Sequence, residues 1–235
     1  MRVGVIQSSY IPWRGYFDFI ASVDLFVFYD DVQFSMGNWR NRNMVKTRNG
    51  LKWLTVPVQV KAGSLPIDQV RIGHTLKPWQ EAHRNLLRES LAPAQYGNVA
   101  LELWEEGIAA QDLHISKLNI RLTKIICNYL RIATPFAMAR DLTTTGTKTS
   151  RLISLLRQVG ATIYVSGPTA KGYLEEESFR EHGIRLEYKS YLYPPYPQLW
   201  GDFEGAVSVL DLIGNCGPEA GDFLKSVTPN EIAVP

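Results

Sequence analysis

Short β-branched runs alternate with amphipathic stretches along much of the chain. Residues 2–6 (RVGVI) are apolar and unbroken, which predicts a strand buried on both faces. A polar, proline-containing loop follows over residues 7–14. Residues 15–23 then place Tyr16, Phe19, Ile20 and Val23 at helical spacing, and LFVFY predicts a second strand that stops abruptly at Asp30-Asp31. Strand, loop, helix and strand in this order open a βαβ unit.

From Trp39 the pattern changes. Asn49-Gly50 is the strongest hairpin signal in the chain and joins RNMVKT to KWLTVPV. Residues 67–72 (IDQVRI) predict another short strand. Residues 79–91 and 101–132 predict helices, the second carrying Leu118, Leu122, Ile125 and Ile126, and Pro135 closes that section. A polar linker at 141–150 ends in Ser150, a cap for a helix running to Val159. ATIYVSG, SFREHG and IRLEYKSY then read as strand, short helix and strand. Residues 191–203 (YLYPPYPQLWGDF) hold three prolines and cannot be a central strand, because proline donates no ladder hydrogen bond. Residues 205–213 predict a closing helix. The expectation is a single α/β domain over 1–235 with a parallel core, a hairpin and helical insertion at about 39–140, and a linker at about 141–150.

Composition changes this picture little. At 45% hydrophobic and 20% charged residues, the chain has ample material for a core. Its 25 basic and 23 acidic side chains are scattered, and the densest basic stretch, 40–52, is interrupted by apolar residues, so DNA is not an expected partner. The first residues read as a strand rather than a signal peptide, and no apolar run approaches the roughly 20 residues that span a bilayer. A cytoplasmic protein with no membrane partner is expected. Cys127 sits in an apolar run and fills core volume, whereas Cys216, in the turn GNCG, is either buried or reactive. No histidine has a partner at metal-ligand spacing, and GxGxxG, GxSxG and the P-loop are absent, so neither metal nor cofactor is implied.

In parallel α/β sheets, ligands bind beyond the carboxyl ends of the strands. The loop after the first strand offers Gln7, Tyr10, Trp13, Arg14 and Tyr16, flat apolar surfaces with hydrogen-bonding tips that suit a sugar, nucleotide or aromatic ligand. The same aromatics could instead pack the core while Pro12 and Gly15 shape a turn. Asp30 and Asp31 end the second strand and point to opposite sides, so one can face that loop as amine anchor or general base while the other caps the next turn. In WRNRN, Trp39, Asn41, Arg42 and Asn43 form a polar cluster in which Arg42 either forks a phosphate or carboxylate or is simply solvated. His83 shares a helical face with Trp79 and is a reserve base. In YVSGPTAKGYL, Ser166, Lys171 and Tyr173 lie on a loop that could face a phosphate.

The strings IQSSYIPWRGYFDFI, VDLFVFYDDVQF, WRNRN, WLTVPV, IYVSG, PPYPQLWGDF and VSVLDLIGN, in this order, resemble the WbqC-like family. That family is found among genes for bacterial surface polysaccharides and similar products. The chain departs from the family's usual QPYFFPYIGY at Ser8, Trp13 and Arg14, which alters the pocket the resemblance implies. A more distant similarity is to the pantothenate synthetase family, whose HxGH loop and NPxQF-like string align with Trp13-Arg14-Gly15-Tyr16 and Asp31-Val32-Gln33-Phe34. This implies a Rossmann-like, HIGH-type nucleotide-binding fold, with both histidines replaced and the chemistry therefore changed.

The resemblance implies acyl or aminoacyl transfer, notably of glycine, to an amino sugar or similar small amine. The partners would be that amine and an activated acyl donor, free or on a carrier protein or tRNA. Asp30 or Asp31 would act as base, Gln7, Asn43 and Ser166 would orient the acyl group, Arg42 and Lys171 would hold a phosphate, and Trp13, Tyr16 and Trp39 would supply walls. The rivals are a HIGH-type nucleotidyl transferase or ATP-dependent ligase, and a non-catalytic protein that binds a nucleotide sugar or carrier. The aromatic loops equally offer a homodimer surface.

Overall fold

The computed structural model describes residues 1–60 and 65–235. The first elements are β1 (Arg2–Ile6), α1 (Arg14–Ala21) and β2 (Leu25–Phe28), and β1 and β2 pair in parallel from Val3 opposite Leu25 to Ile6 opposite Phe28. Gly4 is required here: a Cβ on it would lie 2.2 Å from Phe19 Cε1, so its absence lets α1 lie directly on the strand. The hairpin follows as β3 (Arg42–Thr47) and β4 (Gly50–Thr55). Thr47 pairs with Gly50, so Arg48 and Asn49 make the two-residue turn and Gly50 takes the positive φ of +87°. Pro57 then interrupts, and β5 (Val58–Gln59) pairs with β6 (Arg71–Ile72).

The chain continues through α2 (Trp79–Leu91), α3 (Gly97–Ile108), α4 (Ile115–Tyr129), β7 (Phe136–Met138), α5 (Lys148–Gln158), β8 (Ile163–Ser166), α6 (Glu176–Glu181), β9 (Arg185–Tyr188), α7 (Val209–Cys216) and β10 (Glu231–Val234). The main sheet runs β7-β2-β1-β8-β9-β10, with β10 antiparallel to β9 and every other neighbour parallel. The chain therefore builds outward from β1 on one side and then returns to build on the other. At such a reversal the loops leaving adjacent strands diverge and open a crevice.

Alternation along the strands divides the core. Val3, Val5 and Val27 face Leu152, Leu155, Leu156 and Phe179 under α5 and α6. Phe26 and Phe28 face the opposite layer, where α1, the insertion helices and α7 bring in Phe19, Trp104, Leu122, Ile126 and Leu212. Among the described residues, no helix is long and apolar enough to cross a membrane.

Several boundaries differ from the sequence expectation. The helix expected at 101–132 is a helical hairpin: the chain turns at Gln111, whose φ is +49°, and Gly107 lets α3 close onto Leu122 of α4. Apolar spacing continues through such a turn because both helices face one core. Pro135 does not end a section but leads into β7, an edge strand of the main sheet, so the insertion closes before residue 136. Residues 67–72 divide into a 3-10 turn (Ile67–Gln69) and β6. Thr147, not Ser150, caps α5, with Ser150 as its reciprocal capping-box partner. The last helix starts at Val209 because Ser208 caps it.

A buried ion pair fastens α1 to the far half of the sheet. Lys189, just past β9, lies 2.6 Å from Asp18 Oδ2, both side chains being buried. Tyr193 Oη and the Ser226 amide donate to the same oxygen at 2.8 and 3.2 Å. Desolvation of the two charges is offset only while both are present. Lys189→Met should lower the unfolding free energy by about 3–5 kcal/mol, and adding Asp18→Asn should recover part of that loss. Urea denaturation of the two variants measures both effects.

Candidate functional site

The loop after β1 is built from its backbone contacts. Its Ser8 amide donates to Asp30 Oδ1 at 2.7 Å, and Ser116 Oγ on α4 donates to Asp30 Oδ2 at 2.5 Å. Arg40 Nη1 donates to the carbonyls of Gln7 and Ser8 at 2.9 and 3.1 Å, while Asn119 Nδ2 holds the Arg40 carbonyl at 2.8 Å. Asn43 Nδ2 reaches the Ile11 carbonyl at 2.9 Å, the Tyr10 amide donates to the Trp39 carbonyl at 3.0 Å, and the Val209 amide donates to the Pro12 carbonyl at 2.9 Å. Ile11, a β-branched residue, takes φ +34° under these restraints. A left-handed conformation of this kind costs on the order of 1–3 kcal/mol and persists only where the surroundings over-determine it.

The two aspartates diverge as their alternation requires. Asp30 faces the loop, is buried, and has both oxygens engaged, so it positions the loop and is not free to serve as a base. Asp31 faces the other way. Its Oδ2 pairs with Arg151 Nη2 at 2.5 Å, while its Oδ1 is buried with no hydrogen-bond donor among the described residues. Arg151, rather than a cap on the next turn, is thus the partner of Asp31.

A third carboxylate joins them. The Asp68 amide donates to the Asp30 carbonyl at 3.0 Å, which brings this side chain to the end of β2. The side chain is 9% exposed, and Arg140 Nη2 stands 2.8 Å from Oδ2 but off the hydrogen-bonding direction. Among the described residues, neither Asp68 oxygen has a side-chain donor in hydrogen-bonding geometry. Burial raises its pKa, Arg140 opposes the rise, and Asp30 and Asp31 add to it. Asp68 lines a cleft of about 900 Å³ beside the ends of β2 and β7, with Ser116, Lys117, Lys124, Met138 and Arg140. A carboxylate of raised pKa in a cleft can hold an ammonium group or accept its proton.

The other sequence candidates lie elsewhere. Tyr10 and His83 form a sealed chain: Trp104 Nε1 donates to Tyr10 Oη at 2.8 Å, Tyr10 Oη to His83 Nδ1 at 2.9 Å, and His83 Nε2 to the Thr55 carbonyl at 3.2 Å. These donors and acceptors are consistent with one assignment, a neutral imidazole protonated on Nε2. His83 is a core residue and no reserve base. Tyr16 is buried with its hydroxyl on the Gln7 carbonyl at 3.1 Å, which leaves Gln7 tied through its backbone. Trp13 packs against Tyr191 and Tyr193 at centroid distances of 5.3 and 5.8 Å, and buried Arg14 donates to the Pro194 and Phe223 carbonyls at 2.9 and 3.2 Å.

Asn41 and Asn43 are buried and bind backbone carbonyls, whereas Trp39 and Arg42 lie on the hairpin surface around Trp53. Gln33 is exposed and its backbone bridges to Pro66. Ser166 is buried at the end of β8, Lys171 pairs with Glu231 at 2.5 Å, and Tyr173 is exposed, so these three do not join the aspartates. Both thiols are buried, and burial raises Cys127 to about 12 and Cys216 to about 11, which favours the buried reading of Cys216. Local patterns did not mark Asp68, Ser116, Arg140 or Arg40. They converge only because the insertion folds back over the carboxyl end of β2.

His83 makes the fold sensitive to acid. Burial depresses its pKa to about 4, from the ordinary 6.5. The unfolded chain therefore takes up this proton first, and the stability contributed by neutral His83 is present above pH 6.5 and falls as pH drops toward 4. The loss reaches at most about 3 kcal/mol. A neutral replacement such as His83→Asn should flatten this part of the stability profile, as read by denaturation midpoints across that pH window.

With the geometry in place, comparison with known proteins adds the family. An uncharacterised protein of Mycobacterium tuberculosis (strain ATCC 25618 / H37Rv), Rv1507c, is 46% identical over 227 residues, covering 95% of this chain and 97% of the relative. No solved structure matches the chain. The model of the WbqC-like protein family matches residues 7–223, a span from the clamped loop to the turn after α7. The chain belongs to the WbqC-like protein family.

Proposed function

We propose that this protein is a transferase that joins an activated acyl or aminoacyl group to the amine of a small molecule, in the cleft beside β2 and β7. The observation that carries this reading is Asp68, a residue of the cleft wall whose carboxylate has no directed donor among the described residues and stands beside Arg140. In the reaction, the amine nitrogen attacks the acyl carbonyl, the N–C bond forms, and the bond from carbon to the donor's sulfur or oxygen breaks. The nitrogen must lose a proton as it attacks, and Asp68 is the base that takes it and passes it to the leaving group. Arg140 stands where it can stabilise the developing oxyanion, and Lys117 and Lys124 attract an anionic part of donor or acceptor. An amino-sugar acceptor is what the family resemblance implies.

The parallel sheet with its reversal at β1 supports a Rossmann-like reading, with the HIGH-type loop as its first turn. Adenylation is the weaker assignment. Trp13 and Tyr16, at the positions of the two HIGH histidines, are engaged in packing and with the Gln7 carbonyl.

Asp68→Asn should lower kcat by about 100-fold or more with a thioester donor and an amino-sugar acceptor, at an unchanged melting temperature. The acid limb of kcat/KM in the unaltered protein should lie above the ordinary carboxylate range, because only ionised Asp68 accepts the proton. That limb should disappear in the variant. Equal turnover by Asp68→Asn and the unaltered protein would remove Asp68 from the reaction.

A further inference from the structure

Between Asp31 and Asp68 the chain carries six basic side chains and no acidic one. Since the whole holds 25 basic against 23 acidic, the remainder has 19 basic against 23 acidic. A near-neutral total thus conceals a basic segment on an acidic body. Within it, buried Lys46 and mostly covered Arg40 serve the interior, while Arg48 and Lys52 are exposed at the tip of the β3–β4 hairpin and Arg42 lies half-exposed on its outer face.

That face is also apolar. Met36 is 67% exposed, Trp39 44%, Trp53 45% and Leu51 41%. These residues are contiguous. The Trp39 and Trp53 rings are 5.6 Å apart, the Arg42 guanidinium lies 4.2 Å over Trp53, and Leu51 is two residues from Trp53 on the same face of β4. The Met36-Gly37 turn abuts Arg42, since a Cβ on Gly37 would stand 3.7 Å from Nη2. Exposed tryptophan and arginine surrounded by aliphatic side chains is the composition of a protein-binding hot spot.

We infer that this hairpin face docks an acidic protein and, resting on the function proposed above, that this protein is the carrier presenting the activated acyl group. Charge complementarity selects the partner: a carboxylate meets Arg42 on this face and others reach Arg48 and Lys52 around the hairpin tip, Lys52 alternating to the side opposite Trp53, while an apolar centre covers the tryptophans. RNA fits less well, because Arg42 and Trp39 already flank the Trp53 ring and Met36 and Leu51 offer no stacking surface. A second copy fits less well again, because a two-fold contact through this face would oppose like charges. The hairpin is linked to the cleft at one remove, since Ser8 of the loop after β1 and Ser116 of the cleft wall share Asp30. The Trp39 carbonyl and Arg40, at the base of the hairpin, bond directly to the loop after β1.

The test measures binding of a purified holo acyl carrier protein to the full chain by calorimetry, without acceptor, at two salt concentrations. The expected result is binding that weakens with salt and weakens at least tenfold in Arg48→Glu/Lys52→Glu and in Trp39→Ala. Transfer from a free coenzyme A thioester should persist in the double charge-reversal variant. Equal binding by the double variant, no binding by the unaltered chain, binding of tRNA in place of the carrier, or self-association abolished by the same substitutions would each overturn the inference. The two readings fail separately. Turnover of the free thioester without carrier binding removes only the docking site, and carrier binding without turnover of either donor removes only the transferase.

Discussion

Asp30 is the residue on which the carboxyl end of β2, and the loop and helix packed there, depend. One of its oxygens takes the amide of Ser8 and the other the hydroxyl of Ser116, so a single buried carboxylate joins the first loop of the sheet to the insertion helix α4. Charge-assisted hydrogen bonds in a low-dielectric interior are strong when satisfied and costly when not, so the contact specifies one arrangement rather than merely favouring it. Arg40 and Asn119 extend the same junction on the loop side. The Asp68 amide extends it toward the cleft.

This junction explains why the insertion matters to a sheet that could close without it. The parallel strands supply the carboxyl ends, but the cleft wall at Ser116, Lys117 and Lys124 belongs to α4. The strain at Ile11 belongs to the same economy of form. A left-handed β-branched residue is tolerated because Asn43 from the hairpin holds the Ile11 carbonyl and Val209 from α7 holds the carbonyl of the following Pro12.

Much of the fold was legible in the chain because its signals are local. The βαβ opening, the Asn-Gly hairpin and the proline-rich segment each follow from a few neighbouring residues. The divergence of Asp30 and Asp31 also followed from strand geometry alone. The turn inside the helical hairpin was not legible, since α3 and α4 share one core face and the apolar spacing barely changes between them. The strand β7 was hidden for a related reason: three residues after a proline have no periodicity to show.

The candidate site was less legible than the fold. Flat, polar-tipped side chains such as Tyr10, Trp13 and Tyr16 have the same composition whether they line a pocket or fill a core, and here they fill it. His83 likewise looks identical in sequence as a base or as a buried link between Tyr10 and Thr55. Asp68, Ser116 and Arg140 gave no local sign, because their chemistry arises from convergence across more than seventy positions of chain.

The two cysteines carry a practical consequence. Cys127 and Cys216 are both buried, and neither ionises appreciably near neutral pH, so maleimides and iodoacetamides have little native target in the folded protein. A single cysteine placed on the surface would then take a fluorophore or spin label against a silent background, without first stripping thiols from the interior.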